Sequence, residues 1–422
     1  MSLYRKLRNA WNAPEYKTLI SNFSYLSILQ VVGYIFPLIT LPYLSRVIGT
    51  NGFGKIAFAA AIITWIQTIA DWGFNFTATR DVAQNRDNKE KVSEIFSNVL
   101  WARILLSLLS LLILVVLILF IPSFRENTVI ILLTYLMIPG HILFPDWFFQ
   151  ALEKMRYIVI FNLLIKLLFT ILVFVFIKSE QDFIYQPLFT SIGYIICGVV
   201  SMYIIISKFG YKVMKPNFQK MLMTIKASSD VFVNNIAPNL YNSFSVILLS
   251  STCGSVANGI YEGGNKIISI VHQFILVISR TFFPFLSRRQ DKHNLFVKIN
   301  LVTGLVSSLF LFVFAPQIIN ILLSNEFANS VVVLRILAIS LFFMVLSNTY
   351  GTNYLIIIHK DRELRNITII CSVIGLLLSY PLVKFYSFIG AALVVFISRC
   401  LLGISIYMYA RKCKVETKKK IL

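Results

Sequence analysis

The chain has 422 residues, of which 57% are hydrophobic and only 14% are charged. Soluble proteins carry about 25% charged residues, and a soluble fold of this composition would expose much of its apolar surface to water. The net charge of +21 would suggest a nucleic-acid partner for a soluble protein, but basic loops that orient a membrane protein explain it better. We therefore exclude a soluble fold and a nucleic-acid partner, and predict an all-α polytopic membrane protein.

Long apolar runs, separated by charged or turn-rich breaks, follow one another along the whole chain. One helical crossing of the hydrocarbon layer needs about 20 apolar residues, so the chain has room for about twelve crossings and short loops. The predicted spans cover 19–44, 55–79, 99–121, 128–149, 157–177, 183–206, 226–250, 256–286, 299–323, 331–357, 366–385 and 387–410.

Lysine and arginine are unevenly distributed among the loops. Of the 39 such residues, 27 lie in one alternating set of loops that includes both termini, and five lie in the other set. Loops rich in these residues stay in the cytoplasm. The distribution therefore predicts that both termini are cytoplasmic and that the number of spans is even.

The chain divides after the sixth predicted span. We predict an N-terminal six-helix lobe (1–207), a cytoplasmic inter-lobe linker (208–225), a C-terminal six-helix lobe (226–410) and a basic cytoplasmic tail (411–422). Because each lobe has an even number of spans, an internal repeat would be parallel, about an axis along the membrane normal. Glycine clusters at the first hairpin of each half fit such a repeat.

Polar side chains form stripes on two of the early spans of these halves. In the second span, Asp71 and Asn75 share a helix face with two threonines. In the seventh span, Asp230, Asn234 and Tyr241 share a face, with further asparagines beside them. Such positions are unusual on helices that are otherwise apolar.

A third stripe, on the eighth span, contains Asn258, Glu262, Asn265, Ser269 and His272 at intervals of three and four residues. Together the three stripes predict a water-filled cavity. Interhelical hydrogen bonds that only hold the bundle together remain an alternative interpretation.

Seven basic residues lie within predicted spans. Three of them, Arg103, Lys226 and Arg399, lie near span ends, where we expect the long side chains to extend to the membrane surface. Lys266 and Arg280 lie deeper, where a charge normally faces protein or a hydrated cavity. Since both residue types bind phosphate, a cavity that contains them favours an anionic head group.

The acidic residues of the stripes leave two interpretations open. Asp71 and Glu262 could each pair with a basic residue or carry a coupling proton. The candidate substrate-binding residues are Arg46, Asp71, Asn75, Arg80, Asp230, Asn234, Asn235, Asn239, Tyr241, Glu262, Asn265, Lys266 and Arg280.

Motifs for covalent chemistry are missing from the sequence. It has no Walker A loop, no GxSxG, no HExxH and no paired cysteine spacing. We therefore predict no catalytic residue, no metal and no cofactor. Pro139 and Pro145 predict a kinked fourth span, and Pro238 predicts an interruption of the seventh.

Several short motifs, most of them in the first ninety residues, carry a resemblance to a known family. They are Asn22 to Leu26, Pro37 to Gly49, Gly52 to Gly54, Asp71 to Phe74, Ala78 to Arg80, Asn234 to Asn242, and Pro284 with Arg288. These motifs resemble those of the bacterial O-antigen repeat-unit flippases (Wzx-type), in the polysaccharide transporter branch of the MATE-like exporter superfamily. The span count matches over the whole length of the chain.

The resemblance implies two six-helix lobes around a central cavity in the bacterial inner membrane. It implies an undecaprenyl-pyrophosphate-linked oligosaccharide as substrate, moved from the cytoplasmic to the periplasmic leaflet by alternating access with H+ or Na+ as coupling ion. Association with a glycan polymerase and glycosyltransferases would fit such a role. Only Arg46, Asp71 and Arg80 are assigned to the site by these motifs.

Two other functions remain open. A drug exporter of the same fold would need a net acidic cavity for organic cations. A membrane glycan polymerase or ligase would usually need a substantial external loop, whereas the external breaks here, such as 251–256, have only a handful of residues.

Overall fold

A computed structural model describes residues 14–288 and 293–421 of the chain. Every regular element in these two ranges is helical, with short 3-10 and π-helical turns between the α-helices. In chain order the α-helices are α1 (Pro14–Asp71), α2 (Phe74–Gln84), α3 (Lys89–Phe120), α4 (Pro122–Glu126), α5 (Thr128–Tyr135), α6 (Met137–Leu143), α7 (Asp146–Ala151), α8 (Met155–Phe176), α9 (Tyr185–Tyr203), α10 (Phe218–Ile236), α11 (Ser243–Arg288), α12 (His293–Val313), α13 (Ala315–Leu322), α14 (Ser330–Ser347) and α15 (Asp361–Ile421).

Nine helical segments of the described ranges are long and apolar enough to cross a membrane. Three helices are too long for one crossing: the 58 residues of α1 would extend about 87 Å, against about 30 Å of hydrocarbon. Helices α1, α11 and α15 each contain one residue with non-helical backbone angles, namely Gly49, Gly254 and Ser387. Division at these residues yields about twelve segments, which confirms the predicted fold class.

The two dividing glycines occupy matching places in the two halves of the chain. Gly49 has a φ of 60° and Gly254 a φ of 88°, conformations that glycine adopts without steric cost. A few residues beyond them, Gly54 and Gly259 lie where α1 and α11 pack backbone to backbone. The glycine clusters are therefore elements of the helix packing.

The second predicted span is not one helix. Helix α1 ends at Asp71, and two left-handed residues, Trp72 (φ 42°) and Gly73 (φ 80°), separate it from α2. A Cβ atom on Gly73 would lie 2.7 Å from the Cβ of Val231, so α10 packs directly against this break. The prediction of a continuous helix over 55–79 was wrong. Hydropathy depends only on the residue types, so it does not reveal a break in the backbone that allows another helix to pack closely.

Prolines interrupt two other spans as predicted. The fourth span consists of the short helices α5, α6 and α7, and Pro145 lies between the last two. In the seventh, α10 is followed by a 3-10 turn, Ala237–Leu240, that contains Pro238. The kinked fourth span and the interrupted seventh are therefore confirmed.

The chain forms two compact units. Unit 1 takes its described residues from Met1–Thr40, Ile66–Lys178 and Ile184–Phe232, and unit 2 from Leu41–Trp65, Ser179–Phe183 and Val233–Leu422. Buried aromatic side chains fill unit 1, where the rings of Phe96 and Phe148 lie 4.7 Å apart. Aliphatic side chains such as Leu334 and Val394 are fully buried in unit 2. The division into two six-helix lobes stays a prediction.

Part of the predicted linker is bound to helix α3. Between α9 and α10 the backbone N–H of Met214 donates to Oγ of Ser97 at 2.8 Å, and the indole Nε1 of Trp101 donates to the carbonyl oxygen of Met214 at 2.9 Å. The N–H of Lys212 donates to Oγ of Ser93 at 3.2 Å. Side chains of α3 thus satisfy backbone groups that have no helix or sheet to pair with.

Candidate functional site

Unit 1 contains a cluster of three ionisable side chains from three helices. Asp71 is the last residue of α1, Arg103 lies midway along α3, and His141 lies on α6. The side chain of Arg103 is only 1% exposed, that of Asp71 is 17% exposed and that of His141 is 14% exposed. A guanidinium at this depth is costly unless it has a partner, which explains why the helices bring these groups together.

Arg103 makes both close contacts of this Asp71–Arg103–His141 triad through a single nitrogen. Its Nη2 donates to Oδ1 of Asp71 and, at 2.9 Å, to Nδ1 of His141. Because arginine can only donate, this bond requires Nδ1 of His141 as its acceptor, which is the arrangement of an imidazole that carries its proton on Nε2. Nδ1 of His141 lies 3.8 Å from Oδ1 of Asp71.

Two of the three nitrogens of the Arg103 guanidinium make no hydrogen bond to the described residues. Within the described part of the chain, Nε and Nη1 of Arg103 are buried and have no hydrogen-bond partner. Oδ1 of Asn75, on the neighbouring helix α2, is likewise buried without one. Buried polar atoms without a protein partner are uncommon in native structures, and ordered water or an ion often accounts for them.

The structure corrects the expectation for two of the basic residues near span ends. Arg103 and Arg399 do not extend to the membrane surface: both are buried, and Nη1 of Arg399 donates to Oγ of Ser340 at 3.0 Å. Each finds a hydrogen-bond partner inside the protein, which proximity to a span end does not reveal. Lys226, by contrast, is exposed.

The other candidate residues of unit 1 are not part of the triad. Arg80 is 65% exposed and pairs with the adjacent Asp81 at 3.1 Å. Asp230 is exposed on α10, and Asn75 accepts a bond from the Thr79 hydroxyl through its backbone carbonyl. Of the sequence motif around Asp71, only Asp71 itself enters the buried cluster.

In unit 2 the structure brings three candidate residues together on α11. Nδ2 of Asn265 donates to Oε2 of Glu262 at 3.0 Å, and Nζ of Lys266 lies 3.5 Å from Oε1 of the same carboxylate. Glu262 is 13% exposed, whereas Lys266 is 53% exposed. The cluster therefore presents an accessible ammonium held beside a half-buried carboxylate.

Two other polar residues of α11 have a different role. Asn258 is fully buried and its Nδ2 donates to the carbonyl oxygen of Gly54 at 2.9 Å. Ser245, at the start of the helix, is also fully buried, and its hydroxyl oxygen lies 3.3 Å from that of Ser379 on α15. For these positions the alternative of hydrogen bonds that hold the bundle together is correct.

The remaining candidates of unit 2 are dispersed. Arg46 is exposed, and its Nη2 donates to the carbonyl oxygen of Ile321 at 3.3 Å, near the end of α13. Asn234 and Asn235 are exposed at the end of α10, Asn239 lies in the 3-10 turn and is half-buried, and Tyr241 is buried. Arg280 belongs to α11, but its side chain lies outside the described residues. That all these residues line one cavity stays a prediction.

Sequence reasoning missed Arg103 and His141 as partners of Asp71. Their one signal in the sequence is an acid, a base and an imidazole on three successive spans. Residues on different helices cannot be matched by helical spacing, so the contact had to come from the structure. Within 14–288 and 293–421, no group of three His, Cys, Asp or Glu side chains could hold a metal ion.

Comparison with known proteins places this geometry in a family context. Residues 19–290 match a family model described as "Polysaccharide biosynthesis protein". A protein of Escherichia coli strain K12 named "Putative O-antigen transporter" is 27% identical over 93% of this chain and 97% of its own length. A protein of the same name from Shigella dysenteriae is 25% identical over 90% of this chain and 97% of its own length.

Solved structures show the same fold at low sequence identity. An inward-facing multidrug resistance MATE family transporter of the MOP superfamily superposes with a TM-score of 0.68 and 14% identity. The superposition covers 94% of this chain and 99% of the other. The helical membrane architecture predicted from the sequence is therefore that of the MATE-like transporters.

Proposed function

Because this chain belongs to the polysaccharide biosynthesis protein family, we propose that it moves undecaprenyl-pyrophosphate-linked oligosaccharide from the cytoplasmic to the periplasmic leaflet of the bacterial inner membrane. The observation that carries the proposal is the similarity to the O-antigen transporter relatives over more than nine-tenths of the chain. The confirmed membrane fold supports transport as the activity.

Accessible basic side chains of unit 2 support an anionic head group. Arg46 and Lys266 are exposed and can offer donors to a diphosphate, Arg46 as a planar fork and Lys266 as a point charge. The amides of Asn234 and Asn235, also exposed, can bind the first sugars. In this proposal the protein replaces the water around the head group, and the polyprenyl tail stays in the lipid.

The finer features of the proposal follow from the resemblance and from the charge distribution. Transport proceeds by alternating access and is driven by an H+ or Na+ gradient. Both termini lie in the cytoplasm, in line with the excess of lysine and arginine in their set of loops. The protein carries out no covalent chemistry and works beside a glycan polymerase and glycosyltransferases.

A reconstitution experiment tests the substrate. Purified protein is placed in vesicles with a polyprenyl-diphosphate-linked disaccharide, and an exoglycosidase that cannot cross the membrane is added outside. Empty vesicles protect the sugar of the inner leaflet, about half of the total, whereas vesicles with active protein lose this protection. An equal protected fraction in both preparations contradicts the proposal. A neutral glycolipid with the same disaccharide serves as the control for recognition of the diphosphate.

The fold likeness keeps one alternative under test. The solved relatives include multidrug resistance transporters, which makes a small-molecule exporter the second candidate. Efflux of a cationic dye from cells that express the protein separates the two functions. Dye efflux without any change in glycan protection would favour the exporter.

A further inference from the structure

The Asp71–Arg103–His141 triad lies next to the backbone break between α1 and α2, so a rearrangement of the triad can change the conformation of that junction. We propose that His141 binds a proton and thereby releases the junction between α1 and α2, so that the triad acts as a proton-operated joint. The charges of the triad, the strained backbone at the junction and the contacts between the junction and α10 support this proposal.

The charge balance of the triad depends on the protonation state of His141. The hydrogen bond from Arg103 requires a neutral imidazole, and with that imidazole the charges of Arg103 and Asp71 cancel. A proton on Nδ1 turns the acceptor into a donor that faces the guanidinium 2.9 Å away. The buried cluster then has a net positive charge, and the two cations compete for one carboxylate, with His141 only 3.8 Å from Asp71.

A buried net charge is costly, so the protonated triad must rearrange. Nε and Nη1 of Arg103 have no protein partner among the described residues. Protonation of His141 removes one of the acceptors of Nη2. The arrangement therefore favours access of water or of an anion to the guanidinium once the proton is bound.

The residue that follows Asp71 connects the triad to α10. Trp72 has a φ of 42°, an unfavourable conformation for a bulky residue. Its Nε1 donates to the carbonyl oxygen of Ile225 at 3.0 Å, and its ring stacks on that of Phe232 at 3.8 Å. A shift of Asp71 thus reaches α10 through the very next residue, and Gly73 allows the backbone to turn there.

Neighbouring elements of unit 1 also carry titratable groups. From α9, the ring of Tyr194 lies 5.8 Å from the imidazole. From α7, the carboxylate of Asp146 accepts the backbone N–H of Trp147 at 2.8 Å. Tyr135 of α5 donates its hydroxyl to the carbonyl of Ser107. His141 is the group whose Nδ1 faces both the guanidinium of Arg103, at 2.9 Å, and the carboxylate of Asp71, at 3.8 Å, so we assign the operation of the joint to it.

The joint does not depend on the identity of the substrate. If the chain is the ion-coupled transporter of the proposed function, His141 is the site of the coupling proton, and this last step rests on that proposal. Protonation and opening of the junction are properties of unit 1 that can be measured without any substrate.

Hydrogen–deuterium exchange of the protein in lipid nanodiscs tests the joint. Peptides that cover 66–84 and 218–232 are followed at pH 5.5 and pH 7.5, with labelling times scaled to the intrinsic exchange rates. We expect at least tenfold faster exchange at pH 5.5 in the unmodified protein. In His141→Asn, which keeps a neutral acceptor near the position of Nδ1, we expect the slow pattern at both pH values. His141→Gln provides a second neutral variant if the first does not accumulate.

His359→Asn is the matched control. His359 is exposed in unit 2 with a φ of 59°, which asparagine tolerates, so this variant should keep the full pH response. The same exchange at both pH values in the unmodified protein, or a pH response that survives in the His141 variants, overturns the proposal. A failed glycan assay with an intact exchange response would instead reject the proposed substrate and leave the joint standing.

Discussion

Gly54 and Gly259 occupy equivalent positions in a symmetric contact between two long helices. A Cβ atom on Gly54 would lie 1.7 Å from the carbonyl oxygen of Ser255, and a Cβ atom on Gly259 would lie 1.9 Å from that of Thr50. The same sequence separation relates Gly54 to Gly259 and Thr50 to Ser255. In each half of the chain, the equivalent glycine thus packs against the backbone of the other half. This symmetry is what a parallel internal repeat predicts.

This contact predicts the effect of adding one methyl group. Gly54→Ala or Gly259→Ala forces α1 and α11 apart, because the atoms that collide are backbone and cannot rotate away. Overpacking of this kind costs about 1–3 kcal/mol or more. We expect a clear drop in the thermal unfolding temperature of the purified protein.

Gly33→Ala is the control for the glycine contact. Its Cβ would lie 3.5 Å from Nζ of Lys166, an ordinary contact, and alanine is the better helix former. A similar loss of stability in Gly33→Ala would contradict the prediction that the backbone contact at Gly54 and Gly259 causes the destabilisation.

The buried ion pair of unit 1 predicts non-additive mutations. Arg103→Gln leaves the carboxylate of Asp71 buried without its cation, a change that typically costs about 3–5 kcal/mol. The double variant Asp71→Asn with Arg103→Gln removes both charges, so it should be more stable than Arg103→Gln alone. Unfolding of the two single variants and the double variant forms a cycle that measures the coupling. Additive effects would mean that the pair contributes nothing specific.

The exposed cations of unit 2 predict the result of charge reversal. Arg46→Glu or Lys266→Glu should abolish surface glycan in cells that depend on this transporter, since a carboxylate would repel the diphosphate of the proposed substrate. The amount of protein in the membrane should not change. Lys215→Glu, at an exposed position before α10, is the matched control. Normal surface glycan in both unit 2 variants would count against a cationic binding site.

The bound linker predicts a local change in exchange. Trp101→Phe removes the bond from Nε1 to Met214, worth about 1 kcal/mol, and should accelerate amide exchange in 209–217 by about fivefold. Trp147→Phe loses the same ring volume, but Nε1 of Trp147 has no partner among the described residues. The Trp147 variant should therefore leave exchange of the linker unchanged, and equal acceleration in both variants would refute the role of the hydrogen bond.

Composition and loop patterns were sufficient for the architecture. Polar groups are costly in hydrocarbon, so each crossing needs a helix of about 20 apolar residues. The lengths of the apolar runs were therefore enough to predict about twelve helical segments without tertiary information. The proline breaks at Pro145 and Pro238 were predictable for a similar reason, since proline has no N–H to donate wherever it occurs. The family was recognisable from short motifs around Gly49 and Asp71, and the match over 19–290 confirms it.

Helical spacing identified only part of the polar cluster residues. It placed Glu262 and Asn265 together correctly, because both lie on the same face of one helix. It failed for Asn258, which has the same spacing but bonds to the backbone of Gly54. Helical spacing shows which polar residues share a face of a helix. Whether that face contacts water or protein depends on the helices that pack against it.

The sequence alone determined what is local: a membrane chain, its helices and several of their breaks, because hydropathy, proline and glycine act on their own segment. The tertiary structure decided which charges meet. Arg103 was expected at the membrane surface and is instead buried between Asp71 and His141, on helices brought together only by folding. Coulombic attraction depends on the distance between two charges in space. The sequence does not reveal that distance for residues on different helices.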